Sequence, residues 1–323
     1  EVRYCTAVHL FKNRGVKGQR PLILYVYQTP EPEGRNRHVT NFDLNQIPPS
    51  VAQNLIRMTD EEFNRLTSFV KQKYGIDLTK KRTLIEGRLT NELRKRGLTS
   101  FSQYLDVLFK DSSGTEFVTL LNKLTTNLSY FMRENEHFEY FRKQVLPNFE
   151  RTRRGELRIW SAGCSTGQEP YNIAMYLDDY FGSRKRSWDT RVLATDISMN
   201  VLTKAKAGIY LEEDLKDIPP AWRTKYFNKI GNNQVQVCEQ IRREVIFRPL
   251  NLMDPFQFKK PMDLIFCRNV MIYFDGPTNA TLVRKFYDWT AKGGYLFIGH
   301  SESINNDNTK YTYIQPAIYQ KKG

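Results

Sequence analysis

The chain has 323 residues, of which 40% are apolar and 26% charged, and its formal net charge is +14. This mix suits a soluble globular protein of about two domains, and no apolar run approaches the roughly eighteen residues that a membrane-spanning helix needs. Cys5, Cys164, Cys238 and Cys267 lie far apart without a Cys-x-x-Cys pair, and the four histidines form no cluster along the sequence. A zinc site and a disulfide framework are therefore not expected, and a reducing cytoplasmic setting is. The excess positive charge fits either a solvated basic surface or an acidic partner, whether nucleic acid, membrane surface or anionic protein.

Residues 1–57 are broken up by Pro21, Pro30, Pro32, Pro48 and Pro49 and contain one strand-like run, Leu22 to Tyr27, too short for a signal peptide. They read as an extension of unknown role. From Met58 the pattern turns helical. Thr59-Asp60-Glu61-Glu62 has the form of a capping box; Phe63, Leu66, Phe69, Val70 and Tyr74 follow at helical spacing, and Gly75 is a natural stop. Further helical patterns at about 80–96, 101–109, 114–124 and 134–144 predict a small all-helical domain over 58–125, followed by a linker over 126–156.

From Leu157 onward apolar strands are expected at 157–162, 191–195, 245–248, 263–267 and 295–299. Helical stretches at about 169–181, 198–206 and 278–291 separate them. Such alternation implies parallel pairing with right-handed crossovers, hence an α/β, doubly wound, Rossmann-like sheet over 157–323. The last run, Tyr311 to Gln320, has no helix after it and is expected to pair antiparallel at the sheet end. Residues 208–244 are too long for one crossover helix. A strand at Val235 to Cys238, after a turn at Gly231-Asn232-Asn233, predicts a small β-subdomain inserted there.

The first strand runs into Gly163-Cys164-Ser165-Thr166-Gly167-Gln168-Glu169, small residues that let backbone approach a ligand. The loop lacks both the dinucleotide Gly-x-Gly-x-x-Gly spacing and the Gly-Lys-Ser/Thr of a phosphate loop, which argues against a nucleoside di- or triphosphate. The second strand ends in Asp196, placed either to bind a ribose diol or to cap the next helix. A nucleoside without a pyrophosphate, such as adenosylmethionine, fits both features. The strand Asp263 to Cys267 ends in Arg268-Asn269, either ligand-edge polar groups or a surface charge and a turn residue.

With Thr125 to Glu134, Trp160 to Tyr171, Ala194 to Ile197, Asn251-Leu252 and Phe266 to Phe274, these segments resemble, in order and spacing, the CheR family of chemotaxis receptor methyltransferases. The resemblance runs from about Met58 to Lys321. It implies a helical domain followed by a Rossmann-like methyltransferase domain that uses S-adenosyl-L-methionine, releases S-adenosyl-L-homocysteine, and esterifies glutamate side chains on methyl-accepting chemotaxis receptors. It further implies cofactor contacts from Asn127, Ser129, Arg133, Glu169, Asp196, Asn251, Leu252, Arg268 and Asn269, and an active-site pair of Arg133 and Tyr273. Ser129 replaces the family's frequent Thr and keeps the hydroxyl, whereas Gln168 replaces a usual Glu and leaves Glu169. No metal, nucleic acid or membrane insertion is implied.

Lys80, Lys81, Arg82, Arg88, Arg94, Lys95 and Arg96 stand against only Glu86 and Glu92. This is either a solvated face or, given the resemblance, a docking face for acidic receptor helices centred on Arg88, Arg94 and Arg96. Some family members bind a receptor C-terminal pentapeptide through a longer glycine-containing loop. The short Tyr226 to Val235 stretch resembles the pentapeptide-independent kind. A nucleic-acid methyltransferase is the rival reading of the charge, but the sequence holds no Asn-Pro-Pro-Tyr-like motif and no Pro-Cys nucleophile. A non-catalytic cofactor-binding module is the other rival, and it has no need of Arg133 or Tyr273.

Overall fold

The Thr59 hydroxyl accepts from the Glu62 amide at 3.1 Å, and the Glu62 carboxylate accepts from the Thr59 amide at 2.7 Å. This reciprocal cap satisfies two free donors and opens α1 (Asp60–Tyr74), which Gly75 closes at φ 72° in the left-handed region that glycine enters without strain. The structure is a computed structural model that describes residues 55–111, 114–124, 129–305 and 309–322; the strand expected at Leu22 to Tyr27 and the position Asn127 lie outside them. Helices α2 (Arg82–Lys95), α3 (Phe101–Lys110) and α4 (Thr115–Leu124) complete a small bundle. Its core includes Leu66, Val70, Leu89, Leu93, Phe101 and Leu120.

The helix expected at 134–144 extends further, as α5 (Asn135–Tyr140), a π-turn (Phe141–Val145) and α6 (Leu146–Thr152). Pro147 marks a helix end in the sequence, because its ring and missing N–H break a regular α-helix. Here the wider π-turn immediately precedes it and the helix continues. The chain then enters β1 (Ile159–Ala162), α7 (Gln168–Phe181), β2 (Val192–Asp196) and α8 (Met199–Ala207).

The insertion follows as predicted in place but richer in detail. It comprises β3 (Ile209–Leu211), α9 (Pro220–Tyr226), β4 (Phe227–Gly231), β5 (Gln234–Val237) and α10 (Glu239–Arg242), its three strands ordered β3-β5-β4 and paired antiparallel. Asn232 and Asn233 both take positive φ, 51° and 56°, as a two-residue hairpin turn of the I′ kind requires and asparagine tolerates.

The main sheet resumes with β6 (Val245–Pro249), β7 (Met262–Cys267), α11 (Gly276–Trp289), β8 (Thr290–Ile298), β9 (Thr312–Gln315) and β10 (Ile318–Gln320), in the order β6-β2-β1-β7-β8-β10-β9. The first five strands are parallel, and the final hairpin is antiparallel, as expected for Tyr311 to Gln320. Every residue of β7 is buried, because helices cover both faces. Leu264 and Phe266 join the cluster under α7, while Ile265 and Cys267 join the one under α11. The sequence runs outward from β1 to β2 and β6, then returns to β7 on the other side of β1. This is a topological switch point, whose crevice lies at the strand carboxyl ends.

The bundle is tied to that end of the sheet. The Asp77 amide donates to the Tyr273 carbonyl at 2.9 Å, and the Asn251 side-chain amide donates to the Lys73 carbonyl at 3.1 Å. Lys71 pairs at 2.8 Å with Asp275, which also caps α11 by accepting from the Thr278 amide. The Lys71 hydrogen bond, followed by those of Thr278, pulls the Asp275 carboxyl down to about 2. A carboxyl lowered on folding stabilises the fold above its unfolded value of about 3.9. That contribution is lost as pH falls through about 4 to 2. Asp275→Asn is therefore expected to flatten the acid limb of the stability curve in this window, checked by urea unfolding at stepped pH.

Candidate functional site

A cavity opens at the switch point, and its polar floor comes from strand ends. Gly163 to Ser165 follow β1, Asp196 ends β2, Leu250 to Leu252 follow β6, and Arg268 to Val270 follow β7. Gly163 is required here. Its φ is 81°, and a Cβ at this position would stand 2.4 Å from a Val270 methyl. The loop also folds back on β2, with the Gly163 and Cys164 amides donating to the Thr195 carbonyl at 2.8 and 2.9 Å.

Asp196 accepts from the Ser165 amide and the Ser198 amide, each at 2.9 Å. The cap of α8 is Ser198, whose hydroxyl accepts from the Val201 amide. Of the two expected roles, capping therefore falls to Ser198, and Asp196 sits in the cavity wall. Burial raises its carboxyl above the ordinary value, against the pull of the Ser198 and Ser165 amides.

Arg268 is almost wholly buried, with a side chain 2% exposed. It donates through Nη1 to Glu169 at 3.0 Å, through Nη2 to Glu134 at 3.1 Å, and also through Nη2 to the Arg133 carbonyl. The surface-charge reading of Arg268 is thus excluded. Glu169 takes a further bond from the Ser161 hydroxyl at 2.7 Å, and burial raises its carboxyl despite Arg268. Burial also pushes Glu134 up, but Arg268 and the Asn269 amide outweigh it and leave Glu134 lowered.

Asn269 has φ 58°, and its amide donates to Glu302 at 2.9 Å. Glu302 also receives the Gly299 amide at 2.6 Å and the Ile272 amide at 3.2 Å, so one half-buried carboxylate ties the loop bearing Tyr273 to the end of β8. Burial is the main influence on the Tyr273 hydroxyl and raises it, while Arg133 and Arg88 pull against that rise. The Arg133 guanidinium lies 5.7 Å from the Tyr130 ring centre.

The fold brings together Ser129, Arg133, Glu169, Asp196, Asn251, Leu252, Arg268, Asn269 and Tyr273 around one cavity. The bundle adds Tyr74, Ile76, Leu121 and Asn122 to its wall, for which no local pattern gave a signal. Glu134 and Glu302 had been overlooked as well. Glu302 could have been found by the rule that singled out Asp196, an acid just past a parallel strand's carboxyl end. The three arginines of the expected docking face differ in situation. Arg88 donates to the Lys123 and Leu124 carbonyls at 3.1 and 3.0 Å, Arg94 is exposed, and Arg96 is held by Glu92 and Glu116.

Two buried polar groups in the cavity wall, the Ser165 hydroxyl and the Asn172 side-chain amide, have no hydrogen-bond partner among the described residues. Unpaired buried groups are costly, so they suit a ligand carrying its own polar groups. An acid at the tip of β2, close glycine backbone at β1 and apolar walls fit a nucleoside ligand that has no pyrophosphate.

Residues 61–125 match the CheR methyltransferase all-alpha domain, and residues 127–319 match the CheR methyltransferase SAM binding domain. The chemotaxis protein methyltransferase of Borreliella burgdorferi is 42% identical over 272 residues, spanning 82% of this chain and 96% of that protein. The Escherichia coli chemotaxis protein methyltransferase is 39% identical over 269 residues, 82% of this chain and 92% of that protein. A third relative, chemotaxis protein methyltransferase Cher2 of Pseudomonas putida, is 31% identical over 81% of this chain and 98% of its own length. An all-helical domain packed on a Rossmann-like sheet, with its cavity at the strand carboxyl ends, is thus joined by family matches over both parts: the chain belongs to the CheR methyltransferases and uses S-adenosylmethionine.

Proposed function

We propose that this protein esterifies glutamate side chains on methyl-accepting chemotaxis receptors, as a cytoplasmic protein-glutamate O-methyltransferase. The observation that carries the reading is that Arg133 and Tyr273 both line one cavity, whose wall is suited to a nucleoside. S-adenosylmethionine supplies an electrophilic methyl group when bound. A glutamate carboxylate, with an unperturbed pKa of about 4.3, is already ionised and nucleophilic at neutral pH, so the site needs no general base. What it needs is alignment, which can lower a barrier by roughly 7–11 kcal/mol, and exclusion of water, because opposite charges cancel as the bond forms.

In this reading Asp196 holds the ribose hydroxyls, and Glu169, Arg268, Asn269, Asn251, Leu252 and Ser129 complete the cofactor wall, together with Asn127. The Arg133 fork receives a carboxylate, and the Tyr273 hydroxyl orients the substrate oxygen. Incubation with methyl-tritiated cofactor and receptor-containing membranes should release volatile methanol in mild base. Alkali-stable label, or label on nucleic acid, would exclude glutamyl ester formation.

Arg133→Ala should abolish turnover and Arg133→Lys should not restore it, because an ammonium cannot reproduce a planar fork. Near-normal kcat in the lysine variant would reduce Arg133 to an electrostatic neighbour.

For the receptor, the docking face is proposed to centre on Arg88 and Arg94. Arg96, bound to two glutamates, keeps a smaller part. Reversing Arg88 and Arg94 to glutamate should raise the apparent KM for receptor without altering cofactor affinity, and high salt should mimic this. The two-residue Asn232-Asn233 turn leaves little loop beside the edge strand β4, which supports pentapeptide independence. Micromolar binding of a receptor C-terminal pentapeptide would contradict it.

A further inference from the structure

His137 is 1% exposed, and neither of its ring nitrogens has a hydrogen-bond partner among the described residues. The sequence held no metal-like cluster, yet the fold sets three ligating side chains side by side. Nδ1 of His137 lies 3.5 Å from Glu134 Oε2, the exposed His300 ring meets the His137 ring edge-on at 4.6 Å, and ligand atoms of all three lie within 4.8 Å of one another. A fully buried imidazole with two idle nitrogens is an expensive arrangement, and it asks for an occupant that the methyl-transfer reaction does not supply.

We propose that Glu134, His137 and His300 form a binding site for a divalent transition-metal ion of the zinc class. Imidazole nitrogen and carboxylate oxygen are its ordinary ligands, at about 2.0–2.2 Å, and water completes the set from the His300 side. Bringing atoms now up to 4.8 Å apart onto one tetrahedral ion takes a contraction of up to about 1.5 Å, and the surface side chain His300 can make it by rotating. His137 is buried beside Arg268, and burial, then Arg268, lowers its imidazole against the upward pull of Glu134. A neutral ring keeps the lone pair that a metal requires.

The charged groups facing the site are Glu134, Arg268 and, across Arg268, Glu169. The ion therefore competes with Arg268 for Glu134 Oε2. Occupation draws this carboxylate away from a guanidinium in the cavity wall, making the site inhibitory toward cofactor binding.

The test uses the full chain freed of metal by chelation, titrated with Zn²⁺ by calorimetry and with Co²⁺ by visible absorption. One ion per chain is expected, with d–d bands and no thiolate charge-transfer band, and adenosylhomocysteine affinity should fall several-fold when Co²⁺ is present. His300→Ala, at an exposed position, should keep its melting transition and lose at least tenfold in ion affinity. His137→Gln should do the same, with thermal melting as its folding control. Absence of stoichiometric binding, a thiolate band from the cysteines, or binding indifferent to His300→Ala would overturn the site. Unchanged adenosylhomocysteine affinity in the Co²⁺-loaded protein would overturn the shared-oxygen geometry.

Discussion

Arg268→Ala is expected to destabilise the protein by about 3–5 kcal/mol, the usual cost of removing one partner from a buried charged network. The guanidinium lies between Glu134 and Glu169 with its side chain only 2% exposed, and alanine would leave two carboxylates without their shared cation. Arg268→Lys keeps the charge but cannot span both acids with one ammonium, so it should recover only part of the loss. It also provides the measurement if the alanine variant does not fold. Urea unfolding checks this through the midpoint at constant slope. A loss below about 1 kcal/mol, the range of exposed ion pairs, would mean that water already reaches the network. Because Arg268 also donates to the Arg133 carbonyl, both variants should bind adenosylhomocysteine more weakly than the parent.

The second large effect is expected at Asp196. Its carboxylate uses one oxygen on the Ser165 amide and the other on the Ser198 amide, and each oxygen keeps a further acceptor site for a ribose hydroxyl. Asp196→Ala removes these acceptors. At roughly 1.5–3 kcal/mol per charge-assisted bond, the dissociation constant for adenosylhomocysteine should rise at least tenfold. The effect separates from a folding defect because α8 keeps its own cap in Ser198, so far-UV circular dichroism should be retained. Unchanged affinity by calorimetry would exclude the ribose assignment.

These expectations differ in how far they were readable beforehand. Asp196, Arg268 and Asn269 were legible as candidates because a polar residue at the end of an apolar strand is placed at the sheet's ligand edge, whereas Glu169, in the first turn of α7, was named only through the family resemblance. The counter-charges of Arg268 were not legible. Glu134 meets Arg268 across 134 residues, and Glu169 does so across 99. The helix expected at 134–144 was too short, for it continues to Thr152. A π-turn over Phe141–Val145, closed by the Leu146 amide on the Phe141 carbonyl, leads directly into the helix that holds Pro147 in its first turn.

Near neighbours along the chain determined the capping box at Thr59, the stop at Gly75, the strand–helix alternation, the inserted hairpin and the acids at strand tips, since hydrogen-bond reach and side-chain period act over a few residues. Only the tertiary structure decided which partners those groups meet. Tyr74, Ile76, Leu121 and Asn122 of the helical bundle close the cavity wall, Arg88 donates to the Lys123 and Leu124 carbonyls while Arg96 is held by Glu92 and Glu116, and His137 comes to lie against His300. Burial and charge pairing are properties of the packed whole. They depend on which surfaces are brought together and how much water is expelled between them, and sequence spacing carries no record of either.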